Sequence, residues 1–260
     1  MSDEGTPREW QGPPPGGPLR GIVMFLPAVI WAFGYVMWLI PTLLLFPGWS
    51  RRNRTPIIRA WGKVLLWMFG VKLDLHGLEN RDLDEARILA TNHVSLLDLM
   101  VYSAAWAGNG TVIYKREFER IPLIGRCMRM LDFISVDRSD PEAARKSMAE
   151  AADGIRERGQ AVWIAPEGTR SRKGGLQRFK MGTFHLALQT GAPIVPSIMR
   201  GVAELNPMGS LIVRPGTVRI DFLEPIRPDG WTRQELHRHA EEVRAVFLRY
   251  LPAAPGTEAA

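Results

Sequence analysis

From Gly21 to Ser50 the chain carries no charged residue: "GIVMFLPAVIWAFGYVMWLIPTLLLFPGWS". A helix needs about 20 apolar residues to cross a bilayer core of about 30 Å, and this run exceeds that. It is too long for a signal-peptide core, and neither a basic leading region nor a small-residue cleavage site accompanies it. A helix buried inside a protein core is the alternative. Pro41 stands where it can divide the run, so both a spanning helix and a re-entrant hairpin are open.

Arg51, Arg52 and Arg54 follow directly. Basic clusters at the end of an apolar span favour the cytoplasmic side. Each charge near an anionic surface is worth about 1 kcal/mol. Ile57, Ile58, Trp61, Leu65, Trp67, Met68 and Phe69 then recur around Arg59 and Lys63, which predicts a second, interfacial helix. Residues 21–70 therefore read as a membrane-associated helical element. Residues 1–20, rich in Pro and Gly, and 253–260 read as disordered tails.

The net charge is +6 and the pI near 9.8, a balance that suits anionic partners. Much of the excess sits beside the apolar run, and no nucleic-acid-binding motif accompanies it, so nucleic acid is not an expected partner. A single cysteine, Cys127, excludes an internal disulfide and a thiolate zinc cluster. His76, His185, His237 and His239 form no ligand set, and no metal is expected.

Beyond residue 70 the texture changes. Residues 71–77, 86–92, 111–115, 132–136, 161–165, 193–199 and 217–223 read as strands; 96–107, 140–159, 182–191 and 232–251 read as helices. Such alternation implies an α/β domain over 71–252, a sheet with helices packed on its faces.

Chemistry-bearing residues gather after predicted strands. In "TNHVSLLDLM" (91–100) His93 and Asp98 are five apart. On one helix that offset leaves the side chains about 140° apart, so they meet only if His93 lies in a turn before the helix. Asp98 then fixes the imidazole tautomer and leaves the other ring nitrogen as a base. Ser95 to Asp98 also fits a helix-capping box, and the two duties are compatible. A Ser-His-Asp triad is disfavoured, because no G-x-S-x-G elbow is present and Ser95 shares the short turn with His93. "APEGTRS" (165–171) offers a Gly168 turn and the planar Arg170 fork suited to phosphate. Lys115 and Arg138 also follow strands, at the sheet edge where open α/β folds bind ligands.

These stretches together resemble the glycerolipid acyltransferases, most closely bacterial 1-acylglycerol-3-phosphate acyltransferase. "NHVSLLD" looks like N-H-x4-D. "KREFERIPLIG" (115–125) is similar to K-x-E-L-x-x-x-P-x-x-G, with Phe118 in place of the usual Leu. "DFISVDR" resembles F-I-x-x-R and ends in Arg138. "APEGTRS" matches P-E-G-T-R-S, with Ala165 where Phe is common. "FKMG" (179–182) resembles F-K-x-G, and "APIVPS" resembles V-P-I-V-P-V. The blocks keep the family's order over about residues 60 to 200.

The resemblance implies a mixed, largely parallel sheet behind an N-terminal membrane-embedded two-helix element. It implies His93 as general base and Asp98 as its orienting partner. Glu167, Gly168, Thr169 and Arg170, with Lys115 and Arg138, would hold the substrate phosphate. The helix N-terminus after the turn would help stabilise the oxyanion. The implied reaction moves an acyl group from acyl-CoA or acyl-carrier protein to lysophosphatidic acid, with no cofactor, at the inner membrane facing the cytoplasm. Acylation of another lysolipid, such as a lysophospholipid or lyso-ornithine lipid, and phospholipase-type hydrolysis are the alternatives. A non-catalytic membrane-binding module would not need the ordered blocks.

Overall fold

The computed structural model describes residues 12–137, 139–170 and 175–252. Arg138 and the expected tails at 1–11 and 253–260 lie outside them. The charge-free run folds as one helix, α1 (Leu19–Leu45), which continues through Pro27 and Pro41. The break falls later, at Phe46, where α2 (Pro47–Arg52) begins. Pro41 therefore does not divide the run: Phe46 N–H still reaches Thr42 O at 3.0 Å, so the ladder is re-formed beyond it. Only 11% of the most apolar window of α1 is buried, which removes the core-helix alternative. The expected tail also ends early, because Gly16 N–H donates to Pro215 O at 2.8 Å.

Helix α3 (Arg54–Phe69) buries one face against the α/β part and leaves Trp67 exposed on the other. Ile57, Ile58, Leu65, Leu66 and Phe69 are buried, and the helix packs closely on α5 (Leu97–Ala104). Arg59 Nε and one terminal guanidinium nitrogen donate to Trp106 O at 2.8 and 2.6 Å, tying α3 to the end of α5. Arg54, expected in the surface cluster, turns over the Phe133 ring at 5.8 Å, and burial lowers its pKa. Arg51 and Arg52 remain exposed.

The α/β part runs β1 (Val71–His76), α4 (Leu78–Arg81), β2 (Arg87–Thr91), α5, β3 (Gly110–Lys115) and a 3-10 turn (Arg116–Arg120). Then come α6 (Ile124–Met130), β4 (Ile134–Val136), α7 (Pro141–Arg158), β5 (Ala161–Ile164) and α8 (Gly182–Thr190). The chain finishes with β6 (Ile194–Arg200), α9 (Val202–Leu205), β7 (Gly216–Phe222) and α10 (Leu236–Leu248). All seven expected strands form one sheet in the order β1-β7-β6-β2-β5-β3-β4. Every pairing is parallel except β6 with β7.

Alternation along β2 explains the layers. Leu89 joins the core under α1, α3 and α5, while Ile88 and Ala90 join the core under α7, α8 and α10. All five residues of β2 are buried, as a central parallel strand covered on both faces requires. Parallel pairing places the carboxyl ends of β6, β2, β5, β3 and β4 on one edge of the sheet.

Candidate active site

The turn after β2 is built around Asn92. Its side chain donates to Met199 O and accepts from Met199 N–H, both at 2.8 Å, and its own carbonyl accepts from the Tyr102 hydroxyl at 3.0 Å. This buried clamp joins the end of β2 to β6 and to α5. It fixes where His93 leaves the sheet.

His93 lies in the turn and Asp98 in the first turn of α5, as the five-residue spacing requires. His93 Nδ1 and Asp98 Oδ2 are 2.5 Å apart. The same oxygen accepts from Val94 N–H at 2.8 Å and Ser95 N–H at 3.0 Å. Asp98 is fully buried, whereas the imidazole is 30% exposed, so one ring nitrogen is held inside and the ring faces the opening. The cap is modified rather than absent. Asp98 reaches back to Ser95 N–H as in a capping box, while Ser95 Oγ accepts from Leu97 N–H, two residues on, at 3.1 Å. One carboxylate thus serves cap and base together. The N–H groups of Val94, Ser95 and Leu97 are consumed within the turn, so the expected oxyanion donors are not these three.

Glu167, after β5, takes a different place from the one expected. It is 1% exposed, and its two oxygens accept from His93 N–H and Gln177 N–H, each at 2.9 Å. Burial raises its pKa; the two backbone donors and the nearby His93 oppose that rise. Its carboxylate braces the base-bearing turn against the 165–177 loop instead of facing a phosphate. An anion there would also be repelled by it.

Of the other expected residues, Lys115, Gly168, Thr169 and Arg170 are at least partly exposed, and Arg138 lies outside the described residues. Gly168 adopts φ +72°, and a Cβ there would stand 3.0 Å from Lys180 Cγ. Thr169 is exposed and Arg170 half-buried on the same loop. Nothing in the "FKMG" block marks Lys180 as a ligand in the sequence; its N–H donates to Pro166 O at 2.6 Å, which brings it to the loop. Lys115 ends β3, is 49% exposed and pairs with Glu117 Oε1 at 2.6 Å. It stands two strands from β2, about 10 Å at the usual strand spacing. The structure therefore sets Lys115, Thr169, Arg170 and Lys180 along the edge that carries His93. Gly125 closes the neighbouring segment: a Cβ on it would lie 2.5 Å from Glu119 O, so the chain after the 3-10 turn folds back only with glycine there.

Behind the turn is a cavity of about 520 Å³, whose wall includes Asn92 and Val94 but not His93. The His93 imidazole, 30% exposed, is reached from the surface rather than through this cavity wall. Cys127 is buried in α6, and burial pushes its thiol up to about 11. Among the described residues no group of three His, Cys, Asp or Glu side chains is arranged to hold a metal ion.

A family model described as Acyltransferase matches residues 72–200. The 1-acyl-sn-glycerol-3-phosphate acyltransferase of Limnanthes douglasii is 35% identical over 84% of this chain and 78% of its own length. That of Cocos nucifera is 31% identical over 84% of this chain and 70% of its own. The crystal structure of the 1-acyl-sn-glycerophosphate (LPA) acyltransferase PlsC from Thermotoga maritima superposes with a TM-score of 0.71 at 27% identity, covering 88% of this chain and 93% of that one. Shared sheet and shared sequence together make this chain an acyltransferase, a member of the 1-acyl-sn-glycerol-3-phosphate acyltransferase family.

Proposed function

We propose that the protein moves a fatty acyl group from acyl-CoA or acyl-carrier protein to the sn-2 hydroxyl of 1-acylglycerol 3-phosphate, giving phosphatidic acid. The reading rests above all on the 2.5 Å contact between half-open His93 and buried Asp98. With Nδ1–H donated to Asp98, Nε2 is the free base. It takes the sn-2 proton as that oxygen attacks the thioester carbonyl carbon. The C–S bond then breaks, and the departing thiolate takes the proton from Nε2. Positioned proton transfer of this kind is typically worth about 10² to 10⁴ in rate. Asp98 compensates the positive charge the ring gains on the way.

Transfer is direct in this scheme, because a buried thiol with a pKa of about 11 is a poor candidate for a thioester intermediate. Arg170, with Thr169, Lys180, Lys115 and Arg138, recognises the acceptor phosphate; Arg supplies the forked donor and Lys point charge. Helix α1 is apolar and long enough to cross a bilayer, with exposed Arg51 and Arg52 beyond its end. That supports attachment to the inner membrane with the site on the cytoplasmic side. The test is a purified-enzyme assay with lysophosphatidic acid against a panel of other lysolipids. Preference for the phosphate monoester is expected; a preference for any other acceptor, or release of free fatty acid without acceptor, refutes the reading.

A further inference from the structure

The segment between β3 and α6 displays apolar side chains that the mechanism does not use. Phe118 is 40% exposed, Ile121 38% and Leu123 39%. They cluster in six residues at the edge that carries the site.

The backbone is strained to show them. Leu123 has φ 68° and ψ −47°, and Ile124 N–H donates to Pro122 O at 2.8 Å. That is a γ-turn of the rare, strained hand with a non-glycine residue at its centre. Strain of this sort persists where the surroundings enforce it, and it clusters at sites with a function. Here it turns a leucine toward solvent.

The charges beside the tip are ordered too. Glu119 points back, accepting from the Tyr114 hydroxyl at 3.0 Å. Glu117 is engaged with Lys115. Arg120, between Phe118 and Ile121, and Arg126, three residues after Leu123, are exposed. Apolar side chains among arginines fit the boundary between acyl chains and anionic headgroups. The next element, α6, packs against α1, so the tip is continuous with a helix apolar enough to cross a bilayer.

We propose that the 118–123 tip is a second membrane contact: Phe118, Ile121 and Leu123 enter the acyl-chain boundary of an anionic bilayer while Arg120 and Arg126 meet its phosphates. This rests on the membrane attachment proposed above. The tip adjoins Lys115, so its insertion holds the phosphate-recognising edge at headgroup depth, where a lysolipid presents its own phosphate.

The test uses the full chain on vesicles of equal parts phosphatidylcholine and phosphatidylglycerol. A fluorophore is placed on Leu123→Cys, and on Asp229→Cys at the far end of the sheet as a control; native Cys127 is buried. The label at 123 should be quenched by brominated acyl chains and shielded from iodide, with the reverse at 229. Equal iodide quenching at both positions overturns the proposal while leaving membrane attachment standing. A full chain that does not sediment with vesicles overturns both.

Leu123→Gly supplies the second arm. Glycine relieves the positive φ, so the melting temperature should hold or rise. Turnover of acceptor embedded in vesicles should fall about tenfold, the scale of one apolar side chain leaving the bilayer. Turnover of a short-chain, monomeric acceptor should be kept. Equal loss on both acceptors, or loss on neither, overturns the membrane role. So does a loss confined to acyl-carrier-protein donor, which would point to a protein partner.

Discussion

Asp98→Asn isolates the charge of the site from its geometry. Asparagine keeps the size of the side chain, and its amide oxygen can still accept from His93 Nδ1, Val94 N–H and Ser95 N–H. The amide NH2 would then take the place of Asp98 Oδ1, a buried oxygen that accepts from no donor among the described residues. Leaving that group unsatisfied costs about 1–3 kcal/mol of stability. What disappears is the negative charge beside a ring that turns positive during proton transfer. Unit charges about 4 Å apart at an effective dielectric of about 20 interact by about 4 kcal/mol. At 1.36 kcal/mol per decade this is about a thousandfold in kcat. The assay is thiol release from an acyl thioester with saturating lysophosphatidic acid, run beside a thermal melt. A folded variant with kcat within tenfold of the parent would refute the electrostatic role of Asp98. Asp98→Ala is the poorer probe, because it strips two backbone N–H groups of their acceptor and should unfold the turn.

Glu167→Gln leaves one backbone N–H of the pair facing an amide NH2, so kcat should drop about tenfold or more through a loosened His93 turn. Burial raises the folded pKa of Glu167. Its favourable contribution is therefore complete below the ordinary carboxylate range and is lost as pH rises through the folded value; chemical denaturation against pH should show this slope in the parent and not in Glu167→Gln. Arg170→Ala should raise KM for the phosphate monoester by about ten- to a hundredfold with kcat nearly kept; an unchanged KM removes Arg170 from phosphate recognition. Gly168→Ala, at φ +72° with Lys180 Cγ 3.0 Å from the new Cβ, should cost about 1–2 kcal/mol in melting experiments, and a neutral result would mean the loop rearranges freely.

The seven strands were legible because each is a short β-rich run bounded by turn residues, and their buried faces leave no other pattern. The His93–Asp98 contact was legible from helix geometry alone, once a strand was placed before it. The charge-free run breaks at Phe46, after α1, and not at Pro41. Proline inside an apolar helix is tolerated when neighbouring carbonyls find other partners, and composition does not reveal where the chain turns. The inward turn of Glu167 is not legible in its block, since a motif says which residues cluster and not which way a carboxylate points. Its direction depends on His93 N–H and Gln177 N–H, contacts that span 74 and 10 residues. In the sequence Asn92 stands out only as the first residue of the N-H-x4-D-like block. A buried amide that clamps two strands is invisible until the strand order is known, because Met199 lies 107 residues away.

Helix α3 also bears on how this enzyme can be handled. It lies between α1 and α5, buries Ile57, Leu65 and Phe69 in the same core as Leu97 and Val101, and is fastened by Arg59 to Trp106 O. Cutting the chain near residue 70, where composition marks a boundary, would expose the flank of the helix whose first turn holds Asp98. Where α1 is to be made less apolar, replacing its outward-facing residues keeps the α3–α5 contact that removing the segment would break.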